Sequence, residues 1–213
     1  MEKGKTIWDV PFDTYLDHLA DAKSLGLKVW ITFDDGWDMG AITTKVYEVA
    51  LKYGERVTVF PITKLVGRSG MDAGKTIQTK DRSFLSYDEL RKLKGMGVEI
   101  GSHSRTHADL PGLAESHLHS EVVGSMWDLV EQFGGGVNTF CYPSGLYNDV
   151  VQRMVKEAGY KEALACEDGD GTNLAISRVG MYSRAFTSCI QEFNDGERGQ
   201  RRRKPDGALE GVV

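Results

Sequence analysis

Cysteine is scarce in this chain of 213 residues: there are three, at positions 141, 166 and 189, with no C-x-x-C among them. An odd number so widely spaced excludes a disulfide-built scaffold, although one disulfide beside a free thiol stays open. No apolar run approaches the roughly 18 residues of a membrane-crossing helix, so no transmembrane segment is expected. Positive charge is in deficit. With 26 Lys+Arg against 31 Asp+Glu the net charge is −5, which argues against nucleic acid as the main partner, because phosphate binding needs a basic face. The opening Met1-Glu2-Lys3-Gly4-Lys5 leads to no apolar h-region, so no signal peptide is expected. That leaves the compartment open between the cytoplasm and, with a leader removed, the cell envelope or exterior. Oligomeric state is open too. Internal repeats are absent, and low complexity is confined to residues 194–213, where glycines and the run Arg201-Arg202-Arg203-Lys204 read as a polar, mobile tail.

Hydrophobic residues make up 40% and charged residues 27%, ordinary proportions for a globular chain. At this length about 70% of the surface is buried on folding, enough for one sizeable core without staples. Residues 1–193 are therefore expected to form a single domain. Within it helix and strand patterns alternate. Apolar residues at 12, 15, 16, 19 and 22 have helical spacing. Lys28-Val-Trp-Ile-Thr-Phe33 reads as a buried strand, followed by a helix over 41–52 and a strand over 56–62. Ser86-Tyr-Asp-Glu89 is a capping box that opens a helix to about Met96. A short strand over 98–100, a long helix over 115–133 stopped by three glycines, and a strand over 137–142 follow. Asn148 caps a further helix to Ala158, and short strands are expected over 160–165 and 176–182. The alternation predicts an α/β fold, and the number of units favours a distorted, incomplete (β/α) barrel of about six or seven parallel strands with outer helices.

Three polar clusters each follow a predicted strand: Asp34-Asp35-Gly36, His103-Ser-Arg-Thr-His107 and Tyr142-Pro-Ser-Gly145. In parallel α/β folds that edge is where sites are built. His103 and His107 are four apart, so on one helical turn both imidazoles would face the same ion. Two adjacent carboxylates leaving a buried strand point to opposite sides, so one is available to a metal and the other to a substrate pocket. Two His and one carboxylate leave an open position on Zn²⁺, the catalytic rather than the structural pattern. The chemistry implied is hydrolysis of an amide or ester.

The stretches Thr32-Phe-Asp-Asp-Gly36, His103-Ser-Arg-Thr-His107 and Phe140-Cys-Tyr-Pro-Ser-Gly145 resemble, in order and spacing, the first three motifs of the polysaccharide deacetylase family, also called carbohydrate esterase family 4 or the NodB-homology family. Phe84-Leu-Ser-Tyr-Asp-Glu-Leu90 and Val98-Glu-Ile-Gly-Ser-His103 extend the likeness, which runs from about Phe12 to Phe193. It implies removal of acetyl groups, mostly N-linked, from an acetylated glycan or amino-sugar. It also implies one divalent metal, usually Zn²⁺, with Co²⁺, Ni²⁺ or Mn²⁺ as alternatives. By the resemblance Asp35, His103 and His107 bind the metal and Asp34 is the general base. Ser144 offers its backbone N–H to the oxyanion, while Pro143 and Gly145 shape that loop. The third motif is similar to a subgroup that carries Phe-x-Tyr-Pro-x-Gly, and Arg178-Val-Gly-Met181 resembles its late Arg-containing strand, which places Arg178 beneath the site. Trp37 and Tyr142 are the aromatic candidates for contacting a sugar ring.

Two departures stand out: Cys141 occupies a position where many members carry Arg, and no His follows His119, so the late His that others use as general acid has no counterpart. Two alternatives to a glycan deacetylase therefore stay open. One is a hydrolase of small linear or cyclic amides on the same metal site, and the other a glycan-binding protein with a degraded site. Several motifs read as bland. His117 and His119 lie at an exposed helix start, Trp30 and Trp127 are core, and Asp168-Gly-Asp170-Gly171 is a turn-rich loop lacking the acids of a calcium site. Gly70 to Thr76 mimics a phosphate loop with only three residues between its glycines, so 67–82 reads as a long loop at the sheet edge.

Overall fold

A computed structural model describes residues 12–24, 26, 28–69, 83–166, 169–178 and 210–212, with the backbone path alone at 12–14 and 210–212. Helices α1 (Phe12–Ser24), α2 (Thr43–Tyr53), α3 (Tyr87–Met96), α4 (Glu115–Phe133) and α5 (Asp149–Glu157) alternate with strands β1 (Lys28–Asp35), β3 (Arg56–Pro61), β5 (Glu99–Ile100), β6 (Thr139–Cys141) and β7 (Glu162–Leu164). Two very short strands, β2 (Trp37–Asp38) and β4 (Ser83–Phe84), pair antiparallel beside the end of β1. β8 (Glu210–Val212) pairs in parallel with Lys28, Val29 and Trp30.

The main sheet is parallel, in the order β5-β3-β1-β8. β6 and β7 form a second parallel pair, which a parallel bridge between Ser102 and Phe140 joins to the end of β5. Ser102 N donates to Thr139 O at 3.0 Å and Cys141 N to Ser102 O at 2.8 Å. A further bridge, Leu164 to Ile176, carries the row one step on. The fold is therefore α/β with parallel strands and outer helices. Among the described residues the parallel strands divide between two sheets rather than lining one continuous barrel of six or seven. The physical reason is length: β5, β6 and β7 are only two or three residues long before the chain turns into polar loops.

Burial follows the two-residue parity of the strands. Val29, Ile31, Val57, Val59, Ile100, Phe140 and Ala163 face outward into one core with Leu19, Tyr47, Leu90, Leu118, Val122 and Val155 of the helices. The alternate residues Trp30, Phe60, Cys141 and Leu164 pack together on the inner side, with Ile176 against them. The lower end of that inner column is closed by charge. Arg56 stacks 3.7 Å over the Trp30 ring and pairs with Glu99 at 2.8 Å and Glu162 at 2.7 Å.

Local chemistry sets the element ends. Ser86 and Glu89 form the expected capping box, and Gly97 ends α3 at φ 106, a left-handed value that glycine adopts without strain. The Asn148 side chain accepts from Val151 N at 3.0 Å and opens α5. Trp127, expected in the core, is instead 66% exposed on α4, because the buried stripe of that helix runs through Leu118, Val122, Ser125 and Leu129. Neither Cys141 nor Cys166 is in a disulfide. The phosphate-loop mimic at 70–76, Cys189, most of the expected strand over 176–182 and residues 194–209 lie outside the described residues.

Gly101 shows how tightly the inner column is filled. A Cβ there would overlap the Phe60 ring and Thr139 Oγ1. Gly101→Ala is therefore expected to destabilise the protein by about 1–3 kcal/mol through overpacking. In urea unfolding the midpoint should fall with the slope unchanged; an unmoved midpoint would show that the column has room to spare.

Candidate metal centre and its polar surround

β1 delivers the two acids to the upper end of the inner column. Asp34 stays in register opposite Phe60 of β3 and Asp35 opposite Pro61. The chain then turns sharply: Asp35 has φ 66 and Gly36 φ 77, with Gly36 N donating to Asp34 O at 2.8 Å. Only glycine suits position 36, since a Cβ would sit 3.0 Å from both Cα and Cβ of Pro61.

The histidine segment is a loop, not the helical turn expected from its spacing. Ser104 and His107 take left-handed backbones, at φ 61 and 62, which a helix does not contain. The imidazoles still converge, with ring centres 4.8 Å apart and planes at 73°. His103 is 2% exposed, and its Nδ1 lies 2.8 Å from Cys141 O. A carbonyl only accepts, so Nδ1 carries a proton, and Nε2 is the ring nitrogen turned toward Asp35. That Nε2 is 3.5 Å from Asp35 Oδ1, and His107 Nε2 is 3.7 Å from the same oxygen. Burial, joined by the neighbouring His103, lowers the His107 pKa despite Asp35 opposing it, which favours the neutral ligating form.

Asp35 Oδ1 is buried and has no hydrogen-bond partner. A buried carboxylate oxygen without a donor is costly unless a cation completes it. One ligand atom from each of Asp35, His103 and His107 lies within 4.8 Å of the others, and the N,N,O donor set suits a divalent transition ion. Asp34, His103 and Cys141 are equally close to one another. That second set is already spent: the guanidinium of Arg178 occupies Asp34, and burial pushes the Cys141 thiol up, keeping it protonated.

Arg178 grips Asp34 with both arms, Nη1 to Oδ1 at 2.7 Å and Nη2 to Oδ2 at 2.8 Å. Its Nε donates to Ala165 O at 2.8 Å and its Nη1 reaches Thr32 Oγ1 at 3.2 Å. Cys141 Sγ donates to Asp34 Oδ2 at 3.4 Å. Burial alone would raise the Asp34 carboxyl. The charge of Arg178 outweighs it, aided by His103 and the direct hydrogen bonds, and holds the group well below the usual carboxylate range.

The other expected site residues divide. Ser144 is exposed, in a left-handed conformation at φ 55, within the turn Pro143–Gly145. A Cβ on Gly145 would sit 2.7 Å from Cys166 Sγ. Tyr142, expected to touch substrate, is fully buried: its hydroxyl donates to Leu174 O at 2.7 Å and its ring stacks on Tyr147 at 5.1 Å. The Pro143 side chain is buried as well. Trp37 stacks on Phe84 at 4.3 Å and sends its indole N–H to Asp35 Oδ2 at 3.0 Å. His117 and His119 are exposed on α4, and Asp170 closes a local turn by accepting from Thr172 N at 2.9 Å.

Two supporting residues escape a reading by motif. Glu121 of α4, a buried carboxylate, accepts from Arg105 N and Thr106 N at 2.9 Å each and from Thr106 Oγ1 at 2.8 Å. Asp128, two turns further along α4, accepts both Nε and Nη2 of Arg105 at 2.9 Å and Thr63 Oγ1 at 2.6 Å. The signal available in sequence was the arginine between the two histidines, which needs an acid partner somewhere.

Comparison with known proteins follows from this geometry. A family model described as polysaccharide deacetylase matches residues 21–163. The chain is 28% identical over 191 residues to YxkH of Bacillus subtilis, covering 86% of this chain and 63% of that protein. It is 25% identical over 171 residues to a poly-beta-1,6-N-acetyl-D-glucosamine N-deacetylase of Staphylococcus aureus, covering 78% and 58%. The chain thus spans about three-fifths of the length of these relatives. Among solved structures, a de-N-acetylase from Aggregatibacter actinomycetemcomitans superposes with TM-score 0.71 at 18% identity, covering 90% of this chain and 92% of that one. The Streptococcus pyogenes deacetylase PplD superposes with TM-score 0.68 at 20% identity, covering 84% and 85%. Both likenesses concern the fold.

The grip of α4 on the histidine loop has a pH signature. Burial works to raise the Asp128 carboxyl, but hydrogen bonds from Arg105 and Thr63 hold it below its ordinary value. A lowered native pKa stabilises above the unfolded value near pH 4, and that stabilisation is lost as pH falls through the native value. Asp128→Asn should cost about 2 kcal/mol at pH 7, as for a hydrogen-bonded charged group. Urea unfolding of both proteins at pH 7 and pH 3 should show the gap narrowing in acid. An equal gap at both pH values would contradict this account.

Proposed function

This chain belongs to the polysaccharide deacetylase family, and from that premise we propose that it is a metal-dependent hydrolase that removes acetyl groups from the N-acetylated sugars of a glycan. The observation that carries this reading is the partnerless Asp35 Oδ1 facing two imidazole nitrogens, beside a second carboxylate held ionised. Asp35, His103 and His107 would hold the cation, with Zn²⁺ the first candidate for two nitrogens and one oxygen. When bound, a divalent cation supplies Lewis acidity toward the acetyl carbonyl and acidifies water.

The chain's own residues supply the rest. Asp34 is the general base: its carboxylate takes the proton from the attacking water. Arg178 and Cys141 fix both of its oxygens in place, so the base does not swing onto the cation. The backbone N–H of Ser144 is the donor for the oxyanion, and its left-handed backbone is the observation that supports this role. The His103 Nδ1–H is spent on Cys141 O, so among the described residues Asp34 is the carboxylate left to return the proton to the leaving nitrogen. Arg178, two residues past the bridge between Leu164 and Ile176, also reaches Thr32 and Asp34 of β1. That reach supports an incomplete barrel in which these two elements face each other across the inner column.

The similarity to the staphylococcal enzyme makes β-1,6-linked N-acetylglucosamine oligomers the first substrate to try, with β-1,4-linked oligomers and peptidoglycan beside them. Acetate release should appear with added Zn²⁺ and vanish with chelator. Asp35→Ala should lose both bound metal and activity. Asp34→Asn should keep the metal and lose about 10²–10⁴-fold in kcat, the range for general acid–base catalysis. Equal metal loss in both variants would overturn the division of roles, and an Asp35→Ala protein with intact metal and turnover would overturn the proposal.

A further inference from the structure

The aromatic residue after the acid pair is engaged through both its N–H and its ring face. Trp37 donates its indole N–H to Asp35 Oδ2 at 3.0 Å, while Asp35 Oδ1 faces the two imidazoles without a hydrogen-bond partner. The two oxygens of one carboxylate are thus treated oppositely. An aspartate carboxylate turns easily about its last torsion, which is broad and roughly two-fold. Left alone it could present either oxygen, or both, to a cation. A donor fixed on one oxygen removes that freedom.

The indole suits this task for two reasons. It donates and never accepts, so it cannot become a ligand itself. It is also held rigidly. Trp37 pairs with Phe84 across the two-stranded β2–β4 ribbon, and the rings stack at 4.3 Å with planes 22° apart. Leu85 N donates to Gly36 O at 2.8 Å, which pins the ribbon to the turn that carries Asp35. Partners of this kind behind a metal ligand orient it and tune its basicity.

We propose that Trp37 is a positioning residue that fixes Asp35 as a single-oxygen ligand, with Oδ1 aimed at the cation and Oδ2 held by the indole. This inference rests on reading Asp35, His103 and His107 as the metal site. Its consequence is a centre with open positions: a carboxylate held through one oxygen leaves more of the ion's surface to water and substrate than one that chelates with both. The β2–β4 ribbon therefore sets the metal geometry, although none of its own residues is a ligand.

The test is metal affinity. Zn²⁺ binding would be measured by competition with a chromophoric chelator, and the visible spectrum of the Co²⁺ form recorded, for wild type, Trp37→Phe and Asp35→Ala. A further protein with Trp37 replaced by 3-benzothienylalanine keeps the shape and stacking of tryptophan but has sulfur in place of the N–H. That replacement answers the question even if Trp37→Phe folds poorly. Both Trp37 replacements should bind Zn²⁺ about 10–100-fold more weakly, the usual cost of losing a partner behind a ligand. They should also shift the Co²⁺ spectrum, and leave KM for an N-acetylglucosamine oligomer unchanged at saturating metal. Wild-type Zn²⁺ affinity in the benzothienylalanine protein would overturn the inference. So would a raised KM with affinity intact, which would return Trp37 to the role of a sugar wall. Asp35→Ala separates the levels: if it too binds Zn²⁺ like wild type, the metal reading fails; if it alone loses binding, only the role of Trp37 fails.

Discussion

A guanidinium almost out of reach of water has to be neutralised, and the upper end of the strand row is arranged around that need. The Arg178 side chain is 11% exposed and spends its donors on Asp34, Thr32 and Ala165 O. The pair joins residues 144 positions apart, so it ties the segment just past the Leu164–Ile176 bridge to the first strand. Beneath it lies the apolar plug of Trp30, Phe60, Cys141 and Leu164, and above it lie the imidazoles. Removing either partner would strand a charge among groups that cannot pair with it, which usually costs far more than the pair contributes. The pair also decides the character of the acid. Burial would make Asp34 a stronger base, and Arg178 makes it a weaker one; the arginine prevails. In the proposed reaction a base weakened in this way would suit water acidified by a cation at Asp35, His103 and His107.

The second constraint is strain. Four non-glycine residues among those described have positive φ: Asp35, Ser104, His107 and Ser144. All four lie in the three polar clusters at or just past the ends of β1, β5 and β6. Such conformations cost on the order of 1–3 kcal/mol each and persist only where surrounding contacts over-determine them. Here the determinants are visible. His107 N donates to Ser104 Oγ at 3.0 Å, while Thr63 N and Lys64 N donate to Ser104 O and Arg105 O. Glu121 and Asp128 of α4 hold the same loop from the far side. The long helix is therefore more than a cover for the sheet: its polar residues convert packing energy into the placement of two imidazoles.

These contacts also explain what a sequence reader sees and misses. The bounds of α4 and the capping box of α3 were legible because they rest on signals within a few residues, apolar periodicity and a Ser-x-x-Glu pair. The acids themselves were legible as the end of a strand. That they remain paired with Phe60 and Pro61 was not, since polarity reads as a loop. The two imidazoles converge, but not on the helical turn that the His-x-x-x-His spacing suggests, because no local pattern announces that Ser104 will take φ 61. Tyr142, a candidate for contacting a sugar ring, is buried, and the sequence does not show this because its partner, Leu174 O, lies 32 residues away. Trp127 was mistaken for core because a large apolar side chain gives no sign of which helix face it occupies. Glu121 and Asp128 carry no motif, and only the folded chain shows that Arg105 is their purpose.

Cys141 resolves the oddest feature of the third motif. In the family that this segment resembles, many members carry arginine there, and the cysteine looks like a loss. In the fold, position 141 sits on the inner column between Phe60 and Leu164, with its thiol 3.4 Å from Asp34. An arginine at 141 would reach for the same two carboxylate oxygens that Arg178 already fills. Two buried guanidinium groups on one carboxylate would leave a net positive charge unpaid in an apolar column, beside a proposed cation site. With Arg178 arriving from the opposite strand, the residue at 141 has to be small, uncharged and able to donate one weak hydrogen bond. Burial keeps the thiol protonated, so it donates to Asp34 and does not compete with it for positive charge. The cysteine is then the complement of the late arginine, and the demand for a fixed, ionised Asp34 is met from the other side of the column.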